Sequence, residues 1–171
     1  MVIIETPRLI LRQLELEDDS FVFELVNTPS WLKFIGDRGV HTLNDARNYI
    51  RTGPMDSYSR FGFGLLLIFL KGEDIPIGMC GLLNRDVLDD PDMGFALLPV
   101  YEGKGYAFEA ASAVLKYSRN ELQLKRIVAI VMRENQRSVS LLQRLGFVYE
   151  KDVILPYSNE ELLLFGCKLL N

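Results

Sequence analysis

Apolar residues occur in short runs along most of the chain, and amphipathic stretches separate several of these runs. Runs rich in leucine, β-branched and aromatic residues predict strands at 8–14, 61–70, 75–84, 93–98, 127–132, 147–155 and 162–169. Helical spacing of apolar residues, together with capping signals, predicts helices at 21–26, 43–51, 105–121 and 136–145. This order predicts an α+β fold with a mixed, mostly antiparallel twisted sheet of about seven strands, flanked by about four helices.

Turn and capping residues set several of these boundaries. Pro29 is predicted to end the first helix, because proline disfavours helical geometry in the residue before it. Thr42 and Asp45 resemble the capping pair at a helix start, and this second helix is expected to resume after Pro54. Residues 71–74 have the turn chemistry of a hairpin, which makes the two flanking strands antiparallel neighbours.

Length and composition limit the classes of function. The chain has 171 residues, of which 49% are hydrophobic, so we predict one domain over residues 1–171 with one core of ordinary size. A net charge of −4 argues against a nucleic-acid partner, which would require a basic face. The longest apolar run, 65–70, is far shorter than the ~20 residues of a membrane span, so no membrane partner is expected.

The two cysteines, Cys80 and Cys167, both lie in apolar runs. Their number and spacing suggest neither a disulfide framework nor a metal cage, so we predict no metal site. The first residues show no cationic patch followed by a long apolar stretch. We therefore expect a reducing, cytoplasmic location. The sequence leaves monomer and homodimer both open.

The segment 93–110 runs from an apolar strand through Gly103 and Gly105 directly into a helix. Such a junction binds anions, because glycine permits close backbone approach and the N–H groups of the first helical turn are unpaired. A Walker motif does not fit, because Gly105 follows Lys104, and the Rossmann fingerprint lacks its third glycine at Phe108. A glycine-rich loop without a ligand remains an alternative.

A second informative segment spans 133–147. Asn135 occupies a capping position, Val139, Leu142 and Leu145 form an apolar stripe, and Gly146 ends the helix. A structural helix accounts for each of these features alone. It does not account for their occurrence together with the glycine turn that follows the earlier strand.

Several segments, taken together, resemble the GCN5-related N-acetyltransferase (GNAT) superfamily, and within it the branch of ribosomal-protein N-terminal acetyltransferases. The resemblance covers nearly the whole chain and is carried by residues 6–14, 34–39, 76–81, 103–110, 135–138 and 146–147. It implies the GNAT fold and transfer of an acetyl group from acetyl-CoA, the co-substrate, to a primary amine.

The resemblance also implies where the coenzyme binds. The backbone of the strand at 95–97 should bind the pantetheine amides, and the amides of the glycine turn should bind the pyrophosphate. The implied coenzyme contacts are Phe95, Ala96, Leu97, Gly103, Lys104, Gly105, Tyr106, Ala107, Phe108 and Asn135. Glu102 departs from the Gln, Arg or Trp that family members have there. Because a carboxylate repels pyrophosphate at close range, we expect Glu102 to point outward, Lys104 to compensate its charge and coenzyme affinity to be modest.

Acetyl transfer to an amine requires a neutral amine. Asp92, at the start of the strand that should flank the acetyl group, is the best candidate for the general base. Its neighbours Asp89 and Asp90 should raise its pKa by like-charge repulsion. The alternative is that the three aspartates around Pro91 form an ordinary solvated turn. Glu109 is an alternative carboxylate, and its helical position is also compatible with capping or packing.

The leaving thiolate needs a proton or a hydrogen bond. Many family members use a tyrosine for this, and the matching residue here is Leu142. Ser138, or a water held by Asn135, is therefore the candidate donor, and Ser138 as a surface hydroxyl without a catalytic role is the alternative.

The pKa of the amine favours one kind of acceptor over another. An α-amine has a pKa of ~7.7 to 8.0 and a lysine-like amine ~10.4, so a weak base suffices for the former. The first hypothesis is thus an N-terminal peptide acetyltransferase. A small-molecule amine acetyltransferase and an acyl-CoA-binding sensor with little turnover are the alternatives. Five aromatic residues either line the acceptor site or pack in the core: Trp31, Phe34, Tyr49, Tyr58 and Phe61.

Overall fold

A sheet of eight strands, in the order β1-β2-β3-β4-β5-β6-β8-β7, runs through the computed structural model, which describes residues 1–169. The strands are β1 (Val2–Glu5), β2 (Leu9–Gln13), β3 (Leu65–Leu70), β4 (Ile75–Leu83), β5 (Asp92–Leu97), β6 (Arg126–Met132), β7 (Val148–Ile154) and β8 (Glu161–Lys168). All neighbours are antiparallel except β5 and β6, which are parallel. The prediction of a mixed, mostly antiparallel sheet is confirmed.

Helices cover both faces of this sheet. They are α1 (Asp19–Val26), α2 (Pro29–Phe34), α3 (Leu43–Ile50), α4 (Asp56–Phe61), α5 (Tyr106–Asn120) and α6 (Gln136–Arg144). A wider π-helical segment, Arg51–Met55, connects α3 to α4 and contains Pro54. Of the helices described, none has the length and apolar character that a membrane crossing requires.

Two apolar clusters hold these layers together. The cluster between the sheet and helices α5 and α6 includes Leu11, Ile68, Ala110, Val114 and Leu142. The cluster on the opposite face, under helices α1 to α3, includes Val22, Leu25, Ile50, Leu67 and Met79. The helices that follow the parallel strands are thus separated by the sheet from the helices near the N-terminus.

Strand β5 contributes side chains to both faces. Leu97 belongs to the cluster under α5, and Ala96 packs against the cluster under α1 to α3. Because successive side chains of a strand point to opposite faces, Asp92 lies on the same face as Ala96. The candidate base therefore faces the N-terminal helices and not α5.

Strand β1 and helix α2 were not predicted. Strand β1 is four residues long and pairs with β2 through an irregular register between Val2 and Ile4. Helix α2 begins at Pro29 because Thr28 caps it, accepting a hydrogen bond from the Trp31 N–H, and proline has no N–H that the first helical position would leave unpaired. Pro29 thus separates two helices and starts the second.

The strand predicted at 61–70 begins at residue 65, four residues later than expected. Phe61 is the last residue of α4, and Gly62 ends that helix in the left-handed conformation at φ 77°. Tyr58 and Phe61 are therefore helical, and β3 begins only at Leu65.

Candidate active site

Strands β5 and β6 separate after a single point of contact. In the described chain their only register pair is Asp92 with Val128, where the Val128 N–H donates to the Pro91 carbonyl at 3.0 Å. Beyond it the strands diverge toward their carboxyl ends, while β4 pairs with the other side of β5 and β8 with the other side of β6. We call the space between them the wedge.

The wall of the wedge formed by β5 presents unpaired backbone groups. The Leu98 N–H donates to the Ile77 carbonyl at 2.8 Å, and the register pairs Ala96 with Met79. In an antiparallel pair every second residue is hydrogen-bonded, so the backbone of Ala96 is directed to β4. The backbone groups of Phe95 and Leu97 then point into the wedge. Of the three predicted pantetheine contacts, Ala96 is thus turned away by the alternation of the ladder.

The wall formed by β6 is built in the same way. The Leu169 N–H donates to the Lys125 carbonyl at 2.8 Å, which places the backbone groups of odd-numbered residues of β6 toward β8. Ile130 and Met132 therefore present their N–H and C=O groups to the wedge. The sequence does not single out either residue, because it does not show that β6 pairs with β8.

The open end of the wedge leads to the glycine turn. Gly103 and Gly105 have φ values of +76° and +84°, a region that favours glycine. Gly105 is the N-cap of α5, and no side chain of the described residues caps this helix. The first-turn N–H groups of Tyr106, Ala107 and Phe108, together with the dipole of a 15-residue helix, therefore form an environment that favours an anion. The turn fits a pyrophosphate.

Arg8, in the connection between β1 and β2, supports this turn. Its Nη1 donates to the Lys104 carbonyl at 3.0 Å, and its guanidinium lies 4.5 Å from the centre of the Tyr106 ring. Its Nε lies 2.6 Å from Glu109 Oε2, and the Thr6 hydroxyl donates to Glu109 Oε1 at 2.7 Å. From the sequence, Thr6 and Arg8 enter only through the family resemblance, because their contacts with Glu109 join segments about 100 residues apart.

Glu109, the alternative base, is fully engaged in these contacts. Partial burial by itself would raise the pKa of Glu109, but the hydrogen bonds from Thr6 and Arg8 outweigh it and lower the pKa. A carboxylate that is stabilised in its charged form is a poor proton acceptor. The geometry gives Glu109 a bracing role.

Glu102 pairs with Arg137, the second residue of α6. Lys104, which was expected to compensate the charge of Glu102, forms no ion pair within residues 1–169, and its side chain is exposed. The compensating cation comes from 35 residues further along the chain, a distance at which sequence spacing carries no signal.

Asn135 and Ser138 lie at the start of α6, as predicted. The Asn135 side-chain oxygen accepts a hydrogen bond from the Ser138 N–H at 3.3 Å, which caps the helix. The Ser138 hydroxyl and the Asn135 amide nitrogen have no partner in the part of the chain that is described. Leu142, at the family's tyrosine position, is 1% exposed and packs in the core under α5 and α6.

Asp92 is the first residue of β5 and lies at the closed end of the wedge, 1% exposed. Both of its carboxylate oxygens lie near Arg85 Nε, at 3.3 and 3.2 Å, and Arg85 Nη1 lies 3.1 Å from the Tyr157 hydroxyl. Burial raises the pKa of Asp92, and the charge of Arg85 opposes this only in part.

The cause of this shift differs from the predicted one, which was repulsion by Asp89 and Asp90. Asp90 is instead paired with Arg126, which also holds Glu150 at 2.6 Å. Asp90, two residues before Asp92, is thus paired with an arginine of β6, and burial is the one cause that raises the pKa of Asp92.

A cavity of about 360 Å³ lies next to this region, between the loop before β5 and strands β6 to β8. Its charged lining residues are Asp89, Asp90, Arg126, Glu150 and Lys151. Across residues 1–169 there is no group of three His, Cys, Asp or Glu side chains arranged to hold a metal ion.

Packing or hydrogen bonds within the fold account for four of the five aromatic residues proposed for the acceptor site. The fifth, Phe34, is the last residue of α2 and is half-buried. Trp31 is buried, and the Tyr58 hydroxyl accepts a hydrogen bond from the Leu14 N–H at 2.9 Å and donates to the Leu65 carbonyl. Phe61 stacks on Phe63. Tyr49 packs against the cluster under α1 to α3. Burial raises the pKa of Tyr49, and the charges of Arg38 and Arg85 act against this rise.

Comparison with known proteins places this geometry in a family. Residues 8–148 match the family model described as the acetyltransferase (GNAT) domain. The chain therefore belongs to the GNAT acetyltransferase family, and it is an acetyl-CoA-dependent N-acetyltransferase. The resemblance stated from the sequence is confirmed.

Similar proteins include the uncharacterized N-acetyltransferase YnaD of Bacillus subtilis, which is 32% identical over 84% of this chain and 81% of its own length. The [ribosomal protein uS5]-alanine N-acetyltransferase of Escherichia coli is 36% identical over 57% of this chain and 51% of its own. Spermidine N(1)-acetyltransferase of Escherichia coli is 24% identical over 84% of this chain and 75% of its own.

Solved structures share the fold across almost the entire chain. A GNAT-family acetyltransferase from Bacillus anthracis superposes with a TM-score of 0.81 at 28% identity, covering 99% of both chains. RimL, a ribosomal L7/L12 α-N-protein acetyltransferase solved with coenzyme A, superposes with a TM-score of 0.83 at 17% identity, covering 99% of this chain and 98% of its own.

Proposed function

We propose that this N-acetyltransferase transfers the acetyl group of acetyl-CoA to the N-terminal α-amine of a protein or peptide. The observation that carries the coenzyme site of this proposal is the wedge between β5 and β6, which ends at the uncapped N-terminus of α5. An extended chain of amides that terminates in a pyrophosphate fits such a wedge and turn. Bound acetyl-CoA supplies the activated acetyl thioester.

The residues that hold the coenzyme follow from the unpaired groups of the wedge. Phe95 and Leu97 on one wall, and Ile130 and Met132 on the other, offer backbone hydrogen bonds to the pantetheine amides. The amides of the turn at 103–108 hold the pyrophosphate. RimL, which has the same fold, contains coenzyme A in its solved structure.

Asp92 is proposed to accept the proton of the attacking amine, directly or through a water. It lies at the closed end of the wedge, and its raised pKa makes it a better base near neutral pH than an ordinary aspartate. Arg85 holds the carboxylate in a fixed orientation. At pH 7 an α-amine costs only ~1 to 1.4 kcal/mol to deprotonate, against ~4.6 for a lysine-like amine, so this weak base suits an α-amine.

Ser138 is proposed to donate a hydrogen bond or proton toward the leaving sulfur. Its hydroxyl has no other partner among the residues described, and it lies in the first turn of α6, at the end of the β6 wall. Leu142 provides no hydroxyl at the position where family members use tyrosine. Transfer then depends more on the orientation of the two substrates than in those relatives.

The relatives support an amine acceptor and divide on its kind. One acts on the alanine of ribosomal protein uS5, and another is named for spermidine. The mixed charges around the cavity beside Asp90 do not form the purely acidic surface that a polyamine favours, because Arg126 pairs with both Asp90 and Glu150 and Lys151 adds a second cation. This balance favours the peptide over the polyamine.

The test combines binding and turnover in the same samples. Thermal unfolding is followed with and without acetyl-CoA, and thiol release is then measured with short peptides of varied first residue and with a panel of free amines that includes spermidine. We expect an upward shift in melting temperature and release with peptides. Thiol release only with small amines would replace the peptide by a small-molecule acceptor. A shift in melting temperature without thiol release on any amine would support the acyl-CoA-binding sensor with little turnover.

A further inference from the structure

Glu102 and Arg137 form an ion pair between the two segments that follow the diverging strands. Glu102 immediately precedes Gly103 in the turn between β5 and α5, and Arg137 lies in the first turn of α6, which follows β6. The pair therefore bridges the open end of the wedge. The register pair of Asp92 with Val128 closes the opposite end.

Glu102 brings a negative charge to a turn whose geometry favours an anion. A carboxylate and a pyrophosphate repel each other at short range, and the same arginine fork suits either one as a partner. Within residues 1–169, Arg137 is the one cation that pairs with Glu102. Its side chain is 70% exposed, and ion pairs at such exposure are weak. Arg137 therefore exchanges one anionic partner for another at little cost.

We propose that Glu102 and Arg137 form a latch across the coenzyme groove, an inference that rests on the proposed acetyl-CoA site. In the free protein Glu102 holds Arg137 across the end of the wedge. When the coenzyme binds, Arg137 donates its hydrogen bonds to the pyrophosphate and Glu102 turns to solvent. Arg137 is thus a coenzyme-binding residue, and Glu102 competes with the coenzyme for it.

The latch makes opposite predictions for its two residues. Binding of coenzyme A to the full-length chain is measured by titration calorimetry at low and moderate salt. Glu102→Gln removes the competitor and should bind several-fold more tightly. Arg137→Gln should bind about tenfold more weakly and with a smaller dependence on salt. Arg137→Lys keeps the charge without the planar fork and should fall between Arg137→Gln and the wild type.

Two controls separate the latch from a general effect of charge or folding. Arg119→Gln removes the same charge at the far end of α5 and should leave coenzyme A affinity unchanged. S-acetyl-pantetheine, a donor without pyrophosphate, should show the same KM with Glu102→Gln and Arg137→Gln as with the wild type.

Weaker coenzyme A binding by Glu102→Gln would overturn the latch, because Glu102 would then be orienting Arg137 for the ligand. Unchanged affinity in both variants, with normal binding by the wild type, would overturn the latch and leave the coenzyme site in place. Failure of the wild type itself to bind coenzyme A would remove the proposed function together with the latch.

Discussion

Arg8 Nε lies 2.6 Å from Glu109 Oε2, although 101 residues separate them along the chain. This contact fixes the N-terminal hairpin to the first turn of α5, directly behind the glycine turn. Because Arg8 also donates to the Lys104 carbonyl, the turn is held from one side before any ligand arrives. A preorganised anion site loses less entropy on binding.

Replacement of Arg8 by glutamine should weaken both the fold and the coenzyme site. We expect a loss of about 1 kcal/mol in the free energy of unfolding, since the guanidinium is partly exposed, and several-fold weaker binding of coenzyme A. Urea unfolding and calorimetry measure the two effects. Arg60→Gln removes an arginine from an exposed pair with Asp56 and should change both by little; equal losses in the two variants would contradict the bracing role.

The lowered pKa of Glu109 predicts how stability depends on pH. Because the folded state favours the charged carboxylate, its contribution is present above the pKa of the unfolded chain and is lost as pH falls through the folded pKa. Glu109→Gln should therefore be less stable than the wild type at pH 7 and nearly equal to it at strongly acidic pH. Urea unfolding across this range measures the difference. A gap that stays constant with pH would show that packing, and not charge, is lost.

Asp92→Asn should lower kcat by about a hundredfold while coenzyme A binding is retained. The pKa of Asp92 is raised, so the rate of the wild type should increase as pH rises through that pKa and the carboxyl loses its proton. This rise should be absent from the pH profile of the variant. Asp86→Asn, which removes an exposed carboxylate from the same loop, serves as the control. An unchanged profile in Asp92→Asn would limit Asp92 to a structural pair with Arg85.

Gly105→Ala should damage the pyrophosphate turn. The residue has φ +84°, and an added Cβ would lie 3.2 Å from Arg8 Nη2, so both the backbone and the brace resist the change. We expect about 1 kcal/mol of lost stability and clearly weaker coenzyme A binding. Gly53→Ala is the matched control, since Gly53 is helical with open space around its Cβ position and should tolerate alanine. Comparable losses at both glycines would contradict this account.

Ser138→Ala tests the proposed donor to the leaving sulfur. We expect kcat to fall by about tenfold. Coenzyme A affinity should be unchanged, because alanine keeps the backbone N–H that donates the capping hydrogen bond to the Asn135 side chain. Ser140→Ala, on an exposed position of the same helix, should have full activity. A fully active Ser138→Ala would return Ser138 to the role of a surface hydroxyl.

Features that local chemistry determines were predictable from the sequence. The strand, glycine turn and helix around Gly103 and Gly105, and the capped helix that begins at Asn135, are as expected because their signals lie within a few residues. Strand β1 and helix α2 were missed because each is short and depends on neighbours that the sequence does not show.

The contacts that complete the site were not predictable. The ion pair of Arg85 with Asp92 depends on the conformation of the loop between β4 and β5. Two other ion pairs join segments that are far apart in the chain: Arg8 with Glu109, and Arg137 with Glu102. Charged residues are frequent enough that many such pairs are possible, and only the folded topology selects among them. The sequence therefore indicated the chemistry of the turn and not the side chains that support it.

The single register pair between β5 and β6 leaves the sheet nearly divided into a part formed by β1 to β5 and a part formed by β6 to β8. Backbone groups that a continuous ladder would satisfy are left available to the proposed coenzyme. Occupancy of the wedge should then add the missing cross-links between the two parts, so that coenzyme binding and resistance to unfolding are thermodynamically linked. The concentration of the coenzyme would thus affect the lifetime of the folded protein as well as its rate of turnover.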